Sequence, residues 1–144
     1  MRRIHLKDEG ATLALGAALA AGLQPGDIVC LSGDLGAGKT TLARGLIQSR
    51  LGDVDVPSPT YTLVQTYDWG EDELWHCDLY RLDQPRDAYE LGLIDAMDTC
   101  IILIEWADRL GDLLRAEAKH IHIEFEGEGR IATLTGFDRT GFDG

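Results

Sequence analysis

Asparagine is absent from this chain, basic residues are few, and no long apolar run occurs. Lysine and arginine number 13 against 25 acidic residues, for a net charge of −12. A protein that grips nucleic acid by itself carries a positive footprint. This chain repels phosphate polymers on average, which excludes a self-sufficient, helicase-like enzyme. No stretch approaches the ~18 apolar residues needed to cross a bilayer. The polar start Met1-Arg2-Arg3-Ile4-His5 has no apolar core of a secretory leader, so a cytoplasmic location and no membrane partner are expected. The three cysteines, Cys30, Cys77 and Cys100, are odd in number and widely separated. They read as small buried residues in a reducing compartment rather than a disulfide framework. Repeats and low-complexity stretches are missing as well. With 144 residues, 44% hydrophobic and 26% charged, the chain suits one globular domain spanning residues 1–144, with 136–144 as a loose tail.

Against these absences stands one full motif, Gly33-Asp34-Leu35-Gly36-Ala37-Gly38-Lys39-Thr40, the G-x-x-x-x-G-K-[ST] phosphate-binding loop. Its glycines let backbone N–H groups point at phosphates, and the following helix adds its positive dipole end. Lys39 is expected to reach the β- and γ-phosphates, and the Thr40 hydroxyl to sit on Mg²⁺. The flanks agree. Ile28 to Leu31 reads as a buried strand, and Thr41 to Ile47 as a helix that continues to Leu51 and stops at Gly52.

The remaining pattern predicts an α/β fold. It is a P-loop NTPase-like domain whose mixed sheet is parallel around the loop, antiparallel at its margin and flanked by helices. Arg3 to Leu6 suggests a short strand. Asp8 is a candidate N-cap, with Glu9 in the first turn and Leu15, Leu19 and Leu23 as an apolar stripe. Pro57-Ser58-Pro59 marks an extended loop. Tyr61 to Tyr67 and Glu73 to Leu79 form a hairpin about the turn Trp69-Gly70-Glu71-Asp72. Pro85 to Leu91 is a short helix stopped by Gly92. Cys100 to Ile104 is a central strand covered on both faces and ending in Glu105. A final hairpin places Ile121, Ile123 and Phe125 on one face, opposite His120, His122, Glu124 and Glu126.

Phosphoryl chemistry also needs a carboxylate to hold the metal or position water. Glu105 is the leading candidate, because a buried strand emerges there and ligands bind at the carboxyl ends of strands in open α/β sheets. Asp78 shares a strand face with Leu74 and His76; pattern alone leaves it between a site acid and an ordinary turn aspartate. Thr60 and Thr62 follow the proline loop, where a hydroxyl can sense a γ-phosphate or simply suit a strand. The His120/His122 pair reads as a hydrated strand face, since no third metal ligand is spaced nearby. His76-Cys77-Asp78 is discounted as a zinc site because adjacent strand residues point to opposite faces. Without asparagine there is no guanine-reading Asn-Lys-x-Asp element, and Asp108-Arg109-Leu110-Gly111 is a weak Asp-x-x-Gly match. ATP is the expected nucleotide.

Together, Gly33 to Thr41, Ser58-Pro59-Thr60-Tyr61-Thr62-Leu63-Val64, His76-Cys77-Asp78-Leu79-Tyr80-Arg81-Leu82 and Glu105-Trp106 resemble the bacterial TsaE (YjeE-type) ATPases in order and spacing, over Ile4 to Thr135. The resemblance implies a small ATPase that assists synthesis of N6-threonylcarbamoyladenosine beside the tRNA anticodon. Its partners would be TsaB and TsaD, its cofactor Mg²⁺ and its substrate ATP. Hydrolysis would reset the TsaB–TsaD complex, and tRNA would be met only through that complex. Carried over residue by residue, Thr40 and Glu105 would hold Mg²⁺. Gly33, Gly36, Ala37, Gly38, Lys39, Thr40 and Thr41 would bind phosphates, while Asp78 would support hydrolysis. Thr62 matches a switch-like threonine, and Glu9 and Arg130 match positions near the nucleotide. The two competing readings are a small-molecule kinase, weakly served by Arg86 in Asp83–Asp98, and a nucleotide-gated module that barely hydrolyses.

Overall fold

The computed structural model describes residues 1–34, 37–60 and 62–137. Seven strands form one sheet in the order β1-β7-β6-β2-β5-β4-β3. At its centre β2 (Ile28–Gly33) pairs in parallel with β5 (Ile101–Glu105) on one side and β6 (Lys119–Glu126) on the other. Next to β5, β4 (Asp72–Asp78) is also parallel. Both margins turn antiparallel: β3 (Val64–Trp69) against β4, and β7 (Gly129–Thr135) between β6 and β1 (Arg2–Leu6). This is the mixed sheet that the sequence pattern predicts.

Two layers bury it. On one face α1 (Glu9–Ala20) and α2 (Lys39–Leu51) pack Leu15, Leu19, Leu42, Leu46 and Ile47 against Val29, Leu31, Leu103 and Ile121. The other face is covered by the single-turn helices α3 (Asp87–Glu90) and α4 (Leu93–Ala96) and by a 3₁₀ segment, Ala107–Leu113. Their Ala88, Leu93, Met97 and Leu110 sit on Cys30, Ile102 and Ile104. With helices on both sides, every residue of β5 is buried, which is why it reads as an unbroken apolar run.

Helix α1 starts where Asp8, in extended conformation, accepts the Ala11 N–H at 2.8 Å and so satisfies one orphan donor of the first turn. The α1–α2 crossing is set by two glycines facing backbone. A Cβ on Gly16 would lie 2.3 Å from the Leu42 carbonyl oxygen, and one on Gly45 2.3 Å from that of Leu13. The far end of α2 is tied to the β3–β4 hairpin. Trp69 Nε1 donates to the Ile47 carbonyl at 3.0 Å, and the Arg50 guanidinium lies 3.7 Å from the Trp69 ring while donating to Asp72 at 2.9 Å.

Several boundaries differ from expectation. Strand β3 begins at Val64, because Leu63 is left-handed (φ 67°) and its N–H closes a turn onto the Pro59 carbonyl at 2.9 Å. Tyr61 lies outside the described residues. Trp69 pairs with Asp72, so the hairpin turn is only Gly70-Glu71. Gly92 stops α3 as expected, but its left-handed backbone (φ 77°) also begins a second helical turn, α4. Phe125 keeps the expected alternation yet is 50% exposed and carries the Arg130 guanidinium 4.1 Å from its ring. The tail was expected to be loose from Gly136, but Phe137 is 3% exposed and joins the α1–α2 core; residues 138–144 lie outside the described residues. All three cysteines are free and buried. Burial pushes the Cys30 thiol up to about 11 and that of Cys77 further still.

Candidate functional site

The carboxyl ends of β4 and β5 meet the start of α2 at one pocket of about 550 Å³. Gly38, Lys39, Thr40 and Thr41 form one wall, and Ser58, Thr60, Asp78, Tyr80, Glu105 and Trp106 the other. Gly38 caps α2 with a left-handed backbone (φ 112°) that lets the helix begin against the pocket. Gly33, at the end of β2, is pressed onto β6 so closely that a Cβ would meet the Ile123 carbonyl oxygen at 2.3 Å. Lys39 Nζ donates to the Gly33 carbonyl at 2.9 Å and lies 5.3 Å from the centre of the Trp106 ring.

Four polar or charged side chains are buried among the described residues: Thr12, His76, Asp78 and Glu105. Three of them converge here. Burying carboxylates is costly without partners, and each acid has them. Asp78 and Glu105 stand opposite one another in the β4–β5 register. Asp78 Oδ1 accepts the Tyr80 N–H at 3.0 Å, and Oδ2 accepts the Thr60 hydroxyl at 3.3 Å. Thr60 Oγ1 in turn lies 2.8 Å from Ser58 Oγ. Glu105 Oε2 sits 3.0 Å from His76 Nε2, on a histidine with no exposed surface. Immediately after Glu105 the chain turns left-handed at Trp106 (φ 62°, ψ 43°). That turn swings the indole over Lys39 and to within 4.8 Å of the Tyr80 ring.

On the other side of the loop a cavity of about 200 Å³ opens between the start of α1 and the β6–β7 turn. Asp8, Glu9, Thr12 and Arg130 line it, and Gly38 and Thr41 belong to both cavities. Glu9 Oε1 accepts from Arg44 at 2.7 Å, fixing the acid to α2.

Comparison with known proteins bears on this arrangement. Residues 6–132 match the family model described as threonylcarbamoyl adenosine biosynthesis protein TsaE. The chain belongs to the TsaE family. Among relatives named tRNA threonylcarbamoyladenosine biosynthesis protein TsaE, that of Rickettsia bellii is 38% identical over 90% of this chain and 92% of its own. That of Haemophilus influenzae is 40% identical over 74% and 68%, respectively. The crystal structure of Bacillus subtilis YdiB superposes with a TM-score of 0.78 at 30% identity, covering 92% of this chain and 83% of that one. A P-loop NTPase-like α/β fold thus accompanies the TsaE sequence blocks.

Of the residues singled out from the sequence of this TsaE chain, Gly38, Lys39, Thr40, Thr41, Asp78 and Glu105 line one pocket. Gly33 holds the Lys39 ammonium, and Ala37 lines the neighbouring cavity with Glu9 and Arg130. Gly36 lies outside the described residues. Thr62 is not brought in: it is exposed and its hydroxyl accepts from Gln65 at 2.9 Å. The threonine that faces the pocket is Thr60. The sequence pattern offers His76 only as a strand-face neighbour of Asp78 and within a discounted zinc triplet; its contact with Glu105, 29 residues away, is visible only in the fold. No group of three or more metal-ligating His, Cys, Asp or Glu side chains occurs among the described residues. Nor is any described helix long and apolar enough to cross a membrane.

Proposed function

We propose that this chain is a Mg²⁺-dependent ATPase that serves tRNA threonylcarbamoyladenosine synthesis as an accessory subunit, resetting TsaB–TsaD between turnovers. One observation carries the reading: the Lys39–Thr40 start of α2 and the buried carboxylates of Asp78 and Glu105 face each other across a single pocket. Lys39 can exchange the Gly33 carbonyl for phosphate oxygens, and the N-terminus of α2 adds N–H donors aimed at the same place. The second cavity, continuous with the loop through Gly38 and Thr41, suits the rest of the nucleotide, with Glu9 and Arg130 at its wall.

The donors fit a hard divalent cation. Mg²⁺ prefers oxygen and binds through one or two carboxylates, waters and substrate phosphates, and this pocket offers the Thr40 hydroxyl with two carboxylates. When bound, Mg²⁺ would supply charge neutralisation on the phosphates. Thr40 and Glu105 are the residues that would hold it. Asp78, fixed by the Tyr80 amide and the Thr60 hydroxyl, would orient the attacking water. Trp106 and Tyr80 line the same pocket.

The kinase reading finds less support. The segment from Asp83 to Asp98 is no free lid, because Ala88, Leu93, Ala96 and Met97 are buried in the second core. Arg86 lines a separate cavity with Pro85, Leu110 and Leu113. The acidic surface suits a subunit whose partners hold the tRNA. The test is ATP turnover by purified protein with and without TsaB–TsaD. Lys39→Ala should abolish it, and Glu105→Ala should stop hydrolysis while keeping part of the nucleotide affinity. Undiminished turnover by Glu105→Ala refutes its role, and no stimulation by TsaB–TsaD favours the passive, nucleotide-gated module.

A further inference from the structure

Histidine 76 is the one fully buried basic side chain described, and only one of its ring nitrogens has a use. Nε2 lies 3.0 Å from Glu105 Oε2, while Nδ1 is buried with no hydrogen-bond partner among the described residues. Leaving a buried nitrogen unpaired costs stability, so a residue serving packing alone is better replaced by leucine. Its neighbours are apolar toward β5 and along its own strand face, while on β3 it stands opposite Gln65, whose amide donates to Thr62 instead. His76 pairs with Leu103 in the β4–β5 register and shares its strand face with Leu74, both without exposed surface. A carboxylate accepts, so Nε2 is assigned as the donor to Glu105.

We propose that His76 is a positioning residue that, through its Nε2–H···Oε2 bond, commits one oxygen of Glu105 and leaves the other for the divalent cation in the pocket. This rests on the assignment of Glu105 as a metal ligand. Glu105 has no other side-chain hydrogen bond among the described residues, so without His76 the carboxylate is free to rotate between its strand-end rotamers. Partners that orient a metal ligand are typically worth 10–100-fold in metal affinity or activity. The strand geometry explains why histidine does this. Glu105 is the last residue of β5, and His76 reaches it from adjacent β4, one same-face position before Asp78, the residue opposite Glu105.

The test uses Mn²⁺ as a paramagnetic probe, titrated by electron paramagnetic resonance into full-length protein saturated with a non-hydrolysable ATP analogue. His76→Gln keeps an N–H donor at the Nε2 position, His76→Asn places its donor near Nδ1, and His76→Leu removes both. The expected result is Mn²⁺ binding about 10–100-fold weaker in His76→Leu and His76→Asn, with His76→Gln restoring most of it. Analogue affinity measured without metal should be unchanged in all three. His76→Leu removes an orphaned nitrogen but leaves the buried Glu105 carboxylate without its side-chain partner, so thermal melting serves to establish that the variant is folded at the assay temperature. Parent-like Mn²⁺ affinity in His76→Leu overturns the proposal. Equal behaviour of the Gln and Asn variants overturns it too, as does a parallel loss of metal-free nucleotide binding, which marks a structural role. Glu105→Ala separates the two claims. If it loses Mn²⁺ while His76→Leu does not, only the positioning role fails; if it binds Mn²⁺ normally, the metal-ligand reading of Glu105 fails and takes this one with it. Should His76→Leu not fold, the Gln/Asn contrast alone decides.

Discussion

Gly45→Ala puts helix preference and packing in direct opposition. Within α2, alanine is favoured over glycine by about 1 kcal/mol, so a surface glycine would gain from the change. At Gly45 the new Cβ would lie 2.3, 2.8 and 2.9 Å from the carbonyl oxygen, Cα and carbonyl carbon of Leu13. All three are backbone atoms of α1, so no side chain can swing aside and the helices must part by about 1 Å. Overpacking of this kind costs roughly 1–3 kcal/mol or more. A gap of 0.5–1 Å also forfeits about a quarter to a half of each dispersion contact along the crossing. Packing wins, for a net loss of about 2 kcal/mol, or roughly 4–8 °C in melting temperature for a domain of this size. Urea unfolding followed by circular dichroism should show a lower midpoint with an unchanged slope. Gly10→Ala is the control, since its Cβ would meet only the flexible Asp8 carboxylate at 3.4 Å; as an exposed residue of α1 it should lose no stability and gain up to about 1 kcal/mol. A Gly45→Ala protein as stable as the parent refutes the reasoning.

Asp78→Asn keeps the acceptor for the Tyr80 amide but loses the charge, and ATP turnover should fall by about 10²–10⁴ with nucleotide affinity little changed in a fluorescence titration. Thr60→Val should lower turnover because Thr60 bonds Asp78, whereas Thr62→Val should leave it near the parent; the reverse order in a steady-state assay would restore Thr62 to the site. Burial lifts the Cys30 thiol from 9.0 to about 11, so the unfolded chain ionises first as pH rises. That contribution is complete below about pH 9 and disappears by about pH 11, amounting to roughly 3 kcal/mol. Urea midpoints of the parent and Cys30→Ala should therefore converge between those pH values, and native Cys30 should resist iodoacetamide at pH 8.5.

Much of this fold is written in short-range pattern. Asp8 announced α1, the apolar run ending at Glu105 announced a covered central strand, and alternation from His120 to Glu126 announced a half-wet one. What escaped depends on where the core ends or on distant partners. Thr60 and Thr62 have equal strand propensity, and only the left-handed Leu63 decides that the chain is still turning there. Phe125 obeys the period of its strand, but the helices do not extend far enough to cover it. His76 stood on the correct face in plain view, while the acid it serves lies on another strand. The site acids themselves were pattern-legible to unequal degrees: Glu105 from its strand end, Asp78 only once its whole sequence block was compared with a family.

Trp106 sets two selective pressures against each other. A left-handed backbone at a residue bearing a side chain costs about 1–2 kcal/mol, which glycine would recover. A library screened for heat resistance alone should therefore enrich Trp106→Gly, discarding the ring that covers Lys39 and contacts Tyr80. One screened for turnover should retain the indole. Position 106 is thus where improving the robustness of this domain and improving its output call for different residues.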